Sequence, residues 1–188
     1  MTEVLLFHHA HGLTPGVASF ADELRAAGHV VHTPDLYDGA TFETTDEGVA
    51  HAREIGFDTI MERGRAAAKP LPAELVYAGF SLGGMPAQML AQTRAGARGA
   101  LLFHAAIPPS EFGGPWPEGV PLQIHFMEDD PWAEEDLPAA REIVATVDGA
   151  ELFLYPGDRH LFADSSLHDY DEHCAMLLQE RVLAFLAD

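Results

Sequence analysis

Cysteine and lysine are nearly missing from this chain: each occurs once, as Cys174 and Lys69. One cysteine excludes an internal disulfide and fits a reducing compartment. Cys174 lies in an apolar-periodic C-terminal segment and reads as a buried structural thiol. Positive charge is scarce as well. Ten Lys and Arg face thirty Asp and Glu, for a net charge of −20. A surface of that sign repels polyphosphates, so nucleic acid and anionic membranes are not expected as partners. It serves solubility or a salty habitat, and an anionic substrate would need a local cation. No apolar run reaches the ~18 residues of a membrane span. The N-terminal "MTEVLLFHHA" has no positive region ahead of its short apolar run, unlike a signal peptide. A soluble, cytoplasmic protein is expected, as a monomer or homodimer.

What the chain does have is a core. It is 188 residues long and 47% hydrophobic, enough for one domain over residues 1–188. Nearly continuous apolar runs at Val4–His8, His29–His32, Leu75–Ala78, Ala100–Phe103, Leu122–Phe126 and Leu152–Tyr155 read as strands covered on both faces. Amphipathic stretches alternate with them: Val17–Ala27, Ile60–Ala68, Leu82–Thr93, Pro138–Val147 and Tyr170–Leu186. The alternation predicts an α/β fold with a mostly parallel sheet of about six strands, helices on both faces and no large cap domain. Tyr37–Glu54 and the proline-rich Ile107–Gly119 look irregular. In open α/β sheets ligands bind beyond the carboxyl ends of the strands, so chemistry is sought just after each one.

One strand ends in such a place. In "VYAGFSLGGMPAQ", Gly79-Phe80-Ser81-Leu82-Gly83 fits G-x-S-x-G, between a strand and a helix. A serine held on so sharp a turn is exposed as a nucleophile, and glycines on either side relieve the crowding. Helix amides beginning at Leu82 can stabilise developing negative charge. A phosphate-binding loop is excluded, because Met85 stands where that motif requires lysine, and a dinucleotide loop would need glycine at Ser81. A structural glycine turn is the alternative.

A serine hydroxyl needs a base, and the base needs a carboxylate to orient it. After the fifth strand comes "MEDDPW", with Glu128, Asp129 and Asp130; after the sixth comes "PGDRHLF", with His160. Serine, acid and histidine stand in the chain order of α/β-hydrolases, each after its own strand.

These segments resemble the dienelactone hydrolase family over nearly the whole chain. The similarity rests on "LLFHHAHGLTPG", "AGHVVHTPDLYDG", "GFSLGG", "HFMEDDPW" and "YPGDRHLFAD". The resemblance implies Ser81, Asp130 and His160 as the catalytic triad, with the Asp-Pro register choosing Asp130 among the three carboxylates. It implies an oxyanion hole from the backbone N–H groups of Ala10 and Leu82. The chain departs from the family in three places. Ser81 stands where many members have cysteine. His9 replaces a glutamate that contacts the resting thiol. Asp164 replaces an arginine that holds the substrate carboxylate. The resemblance therefore implies hydrolysis of small esters or lactones, without a cofactor, but argues against dienelactone itself.

The cluster His8, His9, His11 invites a metal reading, but no nearby H-x-x-x-H or cysteine supports one, and no metal is expected. His8 is assigned to packing. His9 and His11 are expected to line the substrate pocket, with one of them orienting substrate or carrying a proton. Tyr37, Phe80, Trp132 and Phe162 are further pocket candidates, as are Phe112 and Trp116. His104 and His125, at strand ends, are assigned to packing. Competing readings are a thioesterase or peptidase with the same triad, and a non-catalytic binding module.

Overall fold

Six strands form in the computed structural model, which describes residues 1–187: β1 (Glu3–Phe7), β2 (Val30–His32), β3 (Val76–Phe80), β4 (Gly99–Phe103), β5 (Leu122–Met127) and β6 (Ala150–Tyr155). They join in one sheet in the order β2-β1-β3-β4-β5-β6, every neighbouring pair parallel. Parallel neighbours need crossovers. Helix α1 (Pro15–Ala26) links β1 to β2, α2 (Thr45–Ile55) and α3 (Phe57–Ala68) link β2 to β3, α4 (Gly84–Thr93) links β3 to β4, and α5 (Asp136–Thr146) links β5 to β6. Helix α6 (Glu172–Ala187) follows the last strand, and among the described residues the β4–β5 crossover contains no α-helix. No helix among the described residues is long and apolar enough to cross a membrane.

Alternation along each strand divides the core in two. Val4 and Leu6 face a layer built with Phe20 and Leu24 of α1 and Leu178 and Val182 of α6. Leu5 and Phe7 face the other layer, with Ala52 of α2, Ile60 of α3, Ala87 of α4 and Ile143 of α5. Each fully buried Leu, Ile or Phe contributes about 1.5–3 kcal/mol. Both faces are covered, which is why the strands read as unbroken apolar runs.

Helix α2 corrects the reading of Tyr37–Glu54 as irregular. Its buried residues are only Gly48 and Ala52, so hydropathy does not register its inner face. The signal was a capping box: Thr44 accepts from the Glu47 amide, and the Glu47 side chain accepts from the Thr44 amide. The stretch Leu82–Thr93 is also less uniform than expected. It opens as a 3-10 turn over Ser81–Gly83 before α4 begins. A second 3-10 turn, Pro109–Phe112, is the only regular piece of the proline-rich segment.

Candidate active site

Ser81 follows directly on β3 and holds φ at 48°, in the left-handed region. That conformation costs an L-residue about 1–2 kcal/mol. The surrounding glycines allow close approach. A Cβ on Gly79 would collide with the Gly83 carbonyl, and one on Gly83 would lie 2.6 Å from the carbonyl oxygens of Phe7 and His8. The end of β1 is thus pressed against the serine turn.

Ser81 Oγ lies 2.8 Å from His160 Nε2, and His160 Nδ1 lies 2.7 Å from Asp130 Oδ2. The second Asp130 oxygen accepts the Trp132 amide at 2.9 Å. An ionised carboxylate only accepts, so its partners assign the imidazole proton to Nδ1 and leave Nε2 to accept from the serine hydroxyl. Glu128 and Asp129 are exposed, whereas Asp130 is buried. The amides of Glu128 and Asp129 pair with the Tyr155 and Gly157 carbonyls, prolonging the β5–β6 ladder until Asp130 turns inward. Nearby, the Asp136 carboxylate accepts the Ala106 amide at 3.2 Å, and burial raises its pKa.

The three clustered histidines have different partners, although the His9 and His11 rings meet edge to face with centroids 5.3 Å apart. His8 Nε2 accepts the Leu36 amide at 2.9 Å, and its Nδ1 donates to the His9 carbonyl at 2.8 Å. Burial lowers its pKa to about 4, so His8 is a neutral tie within the fold. Asp35 lies 3.6 Å from that Nε2, but the nitrogen already serves as an acceptor, so no ion pair is drawn there. His11 donates from Nδ1 to the Phe42 carbonyl and accepts at Nε2 from the Thr45 hydroxyl, both at 3.0 Å; burial lowers its pKa too. His9 donates from Nε2 to Asp164 Oδ2 at 2.7 Å and accepts the His11 amide at Nδ1. Both its nitrogens are engaged, which leaves none to carry a proton for substrate. Two of the three positions where the resemblance marks a departure, His9 and Asp164, are therefore bonded to each other.

Ala10 lies in the turn closed by the Gly12 amide on the His9 carbonyl, 3.0 Å. Gly48 of α2 backs this turn so closely that a Cβ there would collide with the Ala10 carbonyl. Leu82 sits in the first turn after the serine.

Most of the aromatic pocket candidates are core residues instead. Phe80 packs against Phe20 and Phe103, and Phe162 against His104 and Tyr155, both without significant exposed surface. Strand alternation turns Phe80 toward the α1 layer and away from the serine. Tyr37 is buried among His8, Phe42 and His51, and its hydroxyl donates to the Gly48 carbonyl. His9 and His11 are likewise buried rather than lining an open pocket. Trp132 is the exception: it is 45% exposed, with its ring centroid 5.9 Å from that of His160. Trp116 is buried and donates to the Val120 carbonyl, and it borders a groove of about 680 Å³ with Pro109 and Ile143 that does not include the serine. Phe112 ends the second 3-10 turn.

Sequence reasoning missed the partners of Asp164, namely Thr14 and Ser166, because no local pattern marks them. It also missed the backbone of His104, which holds φ at 60°. The His104 ring is buried between Phe80, Phe162 and His160, with neither nitrogen bonded to a described residue.

The fold has known relatives. A dienelactone hydrolase-like promiscuous phosphotriesterase from metagenomic libraries superposes with a TM-score of 0.80 at 18% identity, covering 100% of this chain and 86% of its own. A dienelactone hydrolase from Anabaena variabilis gives 0.70 at 16% identity, covering 99% and 86%. The thioesterase domain of a curacin biosynthetic pathway gives 0.65 at 16% identity, covering 97% and 90%. At such identities the likeness establishes the α/β-hydrolase fold. No curated protein sequence matches significantly. The family model of the dienelactone hydrolases matches residues 1–188. The chain belongs to the dienelactone hydrolase family.

Proposed function

We propose that this protein is a serine hydrolase of small, uncharged esters or lactones. The observation that carries the reading is the continuous relay from Ser81 Oγ to His160 at 2.8 Å and from His160 to Asp130 at 2.7 Å. In this mechanism His160 Nε2 takes the Ser81 proton as Oγ attacks the carbonyl carbon. The tetrahedral oxyanion is stabilised by the backbone N–H groups of Ala10 and Leu82. His160 then gives its proton to the leaving alcohol, and an acyl-serine remains. Water, deprotonated by the same nitrogen, releases the acid. Asp130 holds the imidazole tautomer and steadies the imidazolium. The reaction requires no cofactor.

Charge supports the substrate class. The net charge of −20 disfavours anionic esters, and Asp164 occupies the position where the family's dienelactone enzymes carry an arginine. Arg159, beside His160 in sequence, is drawn to the Tyr170 carbonyl at 2.7 Å and lies 3.9 Å from Asp171. Trp132 offers an apolar surface next to the base.

The test is initial rates on p-nitrophenyl esters from acetate to octanoate, with a thioester series alongside, for the parent, Ser81→Ala and His160→Ala. Turnover by the parent and its loss in both variants supports the reading. A parent that neither turns over any ester nor reacts with a fluorophosphonate at Ser81 refutes it.

A further inference from the structure

His9 and Asp164 form a second carboxylate–imidazole pair beside the relay, with the same 2.7 Å spacing as Asp130 and His160. Here the far nitrogen of the ring meets no hydroxyl. It accepts the His11 amide at 3.2 Å. The pair is almost wholly buried, His9 at 0% and Asp164 at 2% exposure. Burying a carboxylate is costly unless it is fully bonded, and this one is. Oδ2 accepts from His9 Nε2 and from the Thr14 hydroxyl at 2.5 Å; Oδ1 accepts the Ser166 amide at 2.8 Å and its hydroxyl at 2.6 Å. Although burial acts to raise it, the hydrogen bonds from His9, Ser166 and Thr14 bring the Asp164 pKa to about 2. The carboxylate is therefore ionised at any working pH.

The pair joins two segments that the proposed reaction must keep in register. Asp164 lies four positions after His160, on the loop that follows β6. His9 opens the turn His9–Gly12, which contains Ala10. The N-terminus of α1 is drawn into the same node. Thr14 accepts the Val17 amide while donating to Asp164, and the Gly16 amide donates to Ser166 Oγ at 3.1 Å. Gly16 has no alternative there, because a Cβ would collide with Asp164 Oδ1. Only one tautomer of His9 satisfies both neighbours, with the proton on Nε2 and the lone pair on Nδ1 toward the His11 amide. A carboxylate at Asp164 selects that tautomer. His9 thereby fixes the backbone on either side of Ala10: its backbone carbonyl accepts the Gly12 amide, and its ring Nδ1 accepts the His11 amide.

We propose that His9 and Asp164 are positioning residues that hold the Ala10 amide in place for the oxyanion and lock its turn to the loop of the base. The proposal rests on the serine-hydrolase reading above. It assigns both side chains to the first loop's geometry, with no contact to substrate and no proton transfer.

The experiment compares the parent with Asp164→Asn, His9→Phe, the double variant and Ser166→Ala. It measures kcat and KM on p-nitrophenyl acetate, per folded molecule, and Ki for a trifluoromethyl ketone that adds to the serine and places an oxyanion in the hole. Asp164→Asn is expected to lower kcat about 10- to 100-fold, with KM within about 2-fold of the parent. The ketone Ki should rise in parallel, which loss of stability alone would not produce. The double variant should be no slower than the slower single one, because the pair acts as a unit. Ser166→Ala removes one donor to Asp164 and the acceptor of the Gly16 amide but leaves the His9–Asp164 pair in place, so it should fold and lose about 2- to 5-fold in kcat. It decides the matter should Asp164→Asn not fold. Parent-like kcat and Ki per folded molecule in these variants, or an effect confined to KM, overturns the proposal while leaving the hydrolase reading intact. A parent without turnover or labelling at Ser81 overturns both.

Discussion

Replacing Asp130 with asparagine changes one oxygen for an NH2 group and nothing else in volume. Both carboxylate oxygens are committed as acceptors, one to His160 Nδ1 and one to the Trp132 amide. An asparagine has only one acceptor atom to divide between them. If its oxygen keeps the Trp132 amide, its NH2 faces His160 Nδ1, which must then accept. The imidazole proton moves to Nε2, where it meets the Ser81 hydroxyl and cannot take its proton. If the amide flips, NH2 opposes the Trp132 N–H and two donors collide inside a buried site. The first arrangement is the cheaper, so the variant folds with the wrong tautomer. The expected loss is about 10³- to 10⁴-fold in kcat, or about 4–5.5 kcal/mol of transition-state stabilisation. The assay is kcat/KM on p-nitrophenyl acetate, with thermal unfolding to show that the variant is intact. Asp129→Asn serves as the control, since that side chain is exposed and should retain activity within about 2-fold. An Asp130→Asn enzyme retaining a tenth of the parent's rate, or an Asp129→Asn enzyme as slow, would refute the tautomer argument.

Three other outcomes follow from the geometry. Gly79→Ala drives a methyl into the Gly83 carbonyl and should cost about 1–3 kcal/mol, lowering Tm by about 2–4 °C for each kcal/mol. Ser81→Gly should be more stable than Ser81→Ala by about 1 kcal/mol in denaturant titration, because φ at 48° suits glycine; equal stability would mean that the turn is unstrained. His8 takes up a proton near pH 6.5 when unfolded but only near pH 4 when folded, so the unfolded chain binds more protons between those values. Stability should therefore fall as pH drops through that window, by about 3 kcal/mol from His8 alone. His8→Asn should flatten that part of the curve of unfolding free energy against pH.

The sheet and the approach of Ser81 to His160 were legible because both leave local marks. Strands buried on two faces are continuous apolar runs, and a serine between glycines after such a run has few structural uses. Asp130 was only half legible. Three carboxylates in a row carry no internal distinction, and the family's Asp-Pro register, not charge, favoured the one that turns inward. Helix α2 was hidden because glycine and alanine make its buried face. Phe80 was misplaced for a geometric reason: a residue at the end of a strand sits near the site in sequence, but alternation decides which side of the sheet it enters. Tyr37 and Phe162 lie in the loops after β2 and β6 and turn into the core. Asp164 was least legible. In a chain this acidic, one more aspartate draws no notice, and its partners Thr14 and His9 lie about 150 positions away.

The placement of tryptophan gives this protein a built-in optical probe. There are two in the chain. Trp116 is buried in a loop away from the serine, while Trp132 stands exposed over the His160 ring. A group attached to Ser81 Oγ enters the space beside the His160 ring, which Trp132 borders, so the red-edge fluorescence of Trp132 should change when the serine is acylated while the emission of Trp116 stays constant. Intrinsic emission would then follow occupancy of the site in solution, without a coloured or labelled substrate.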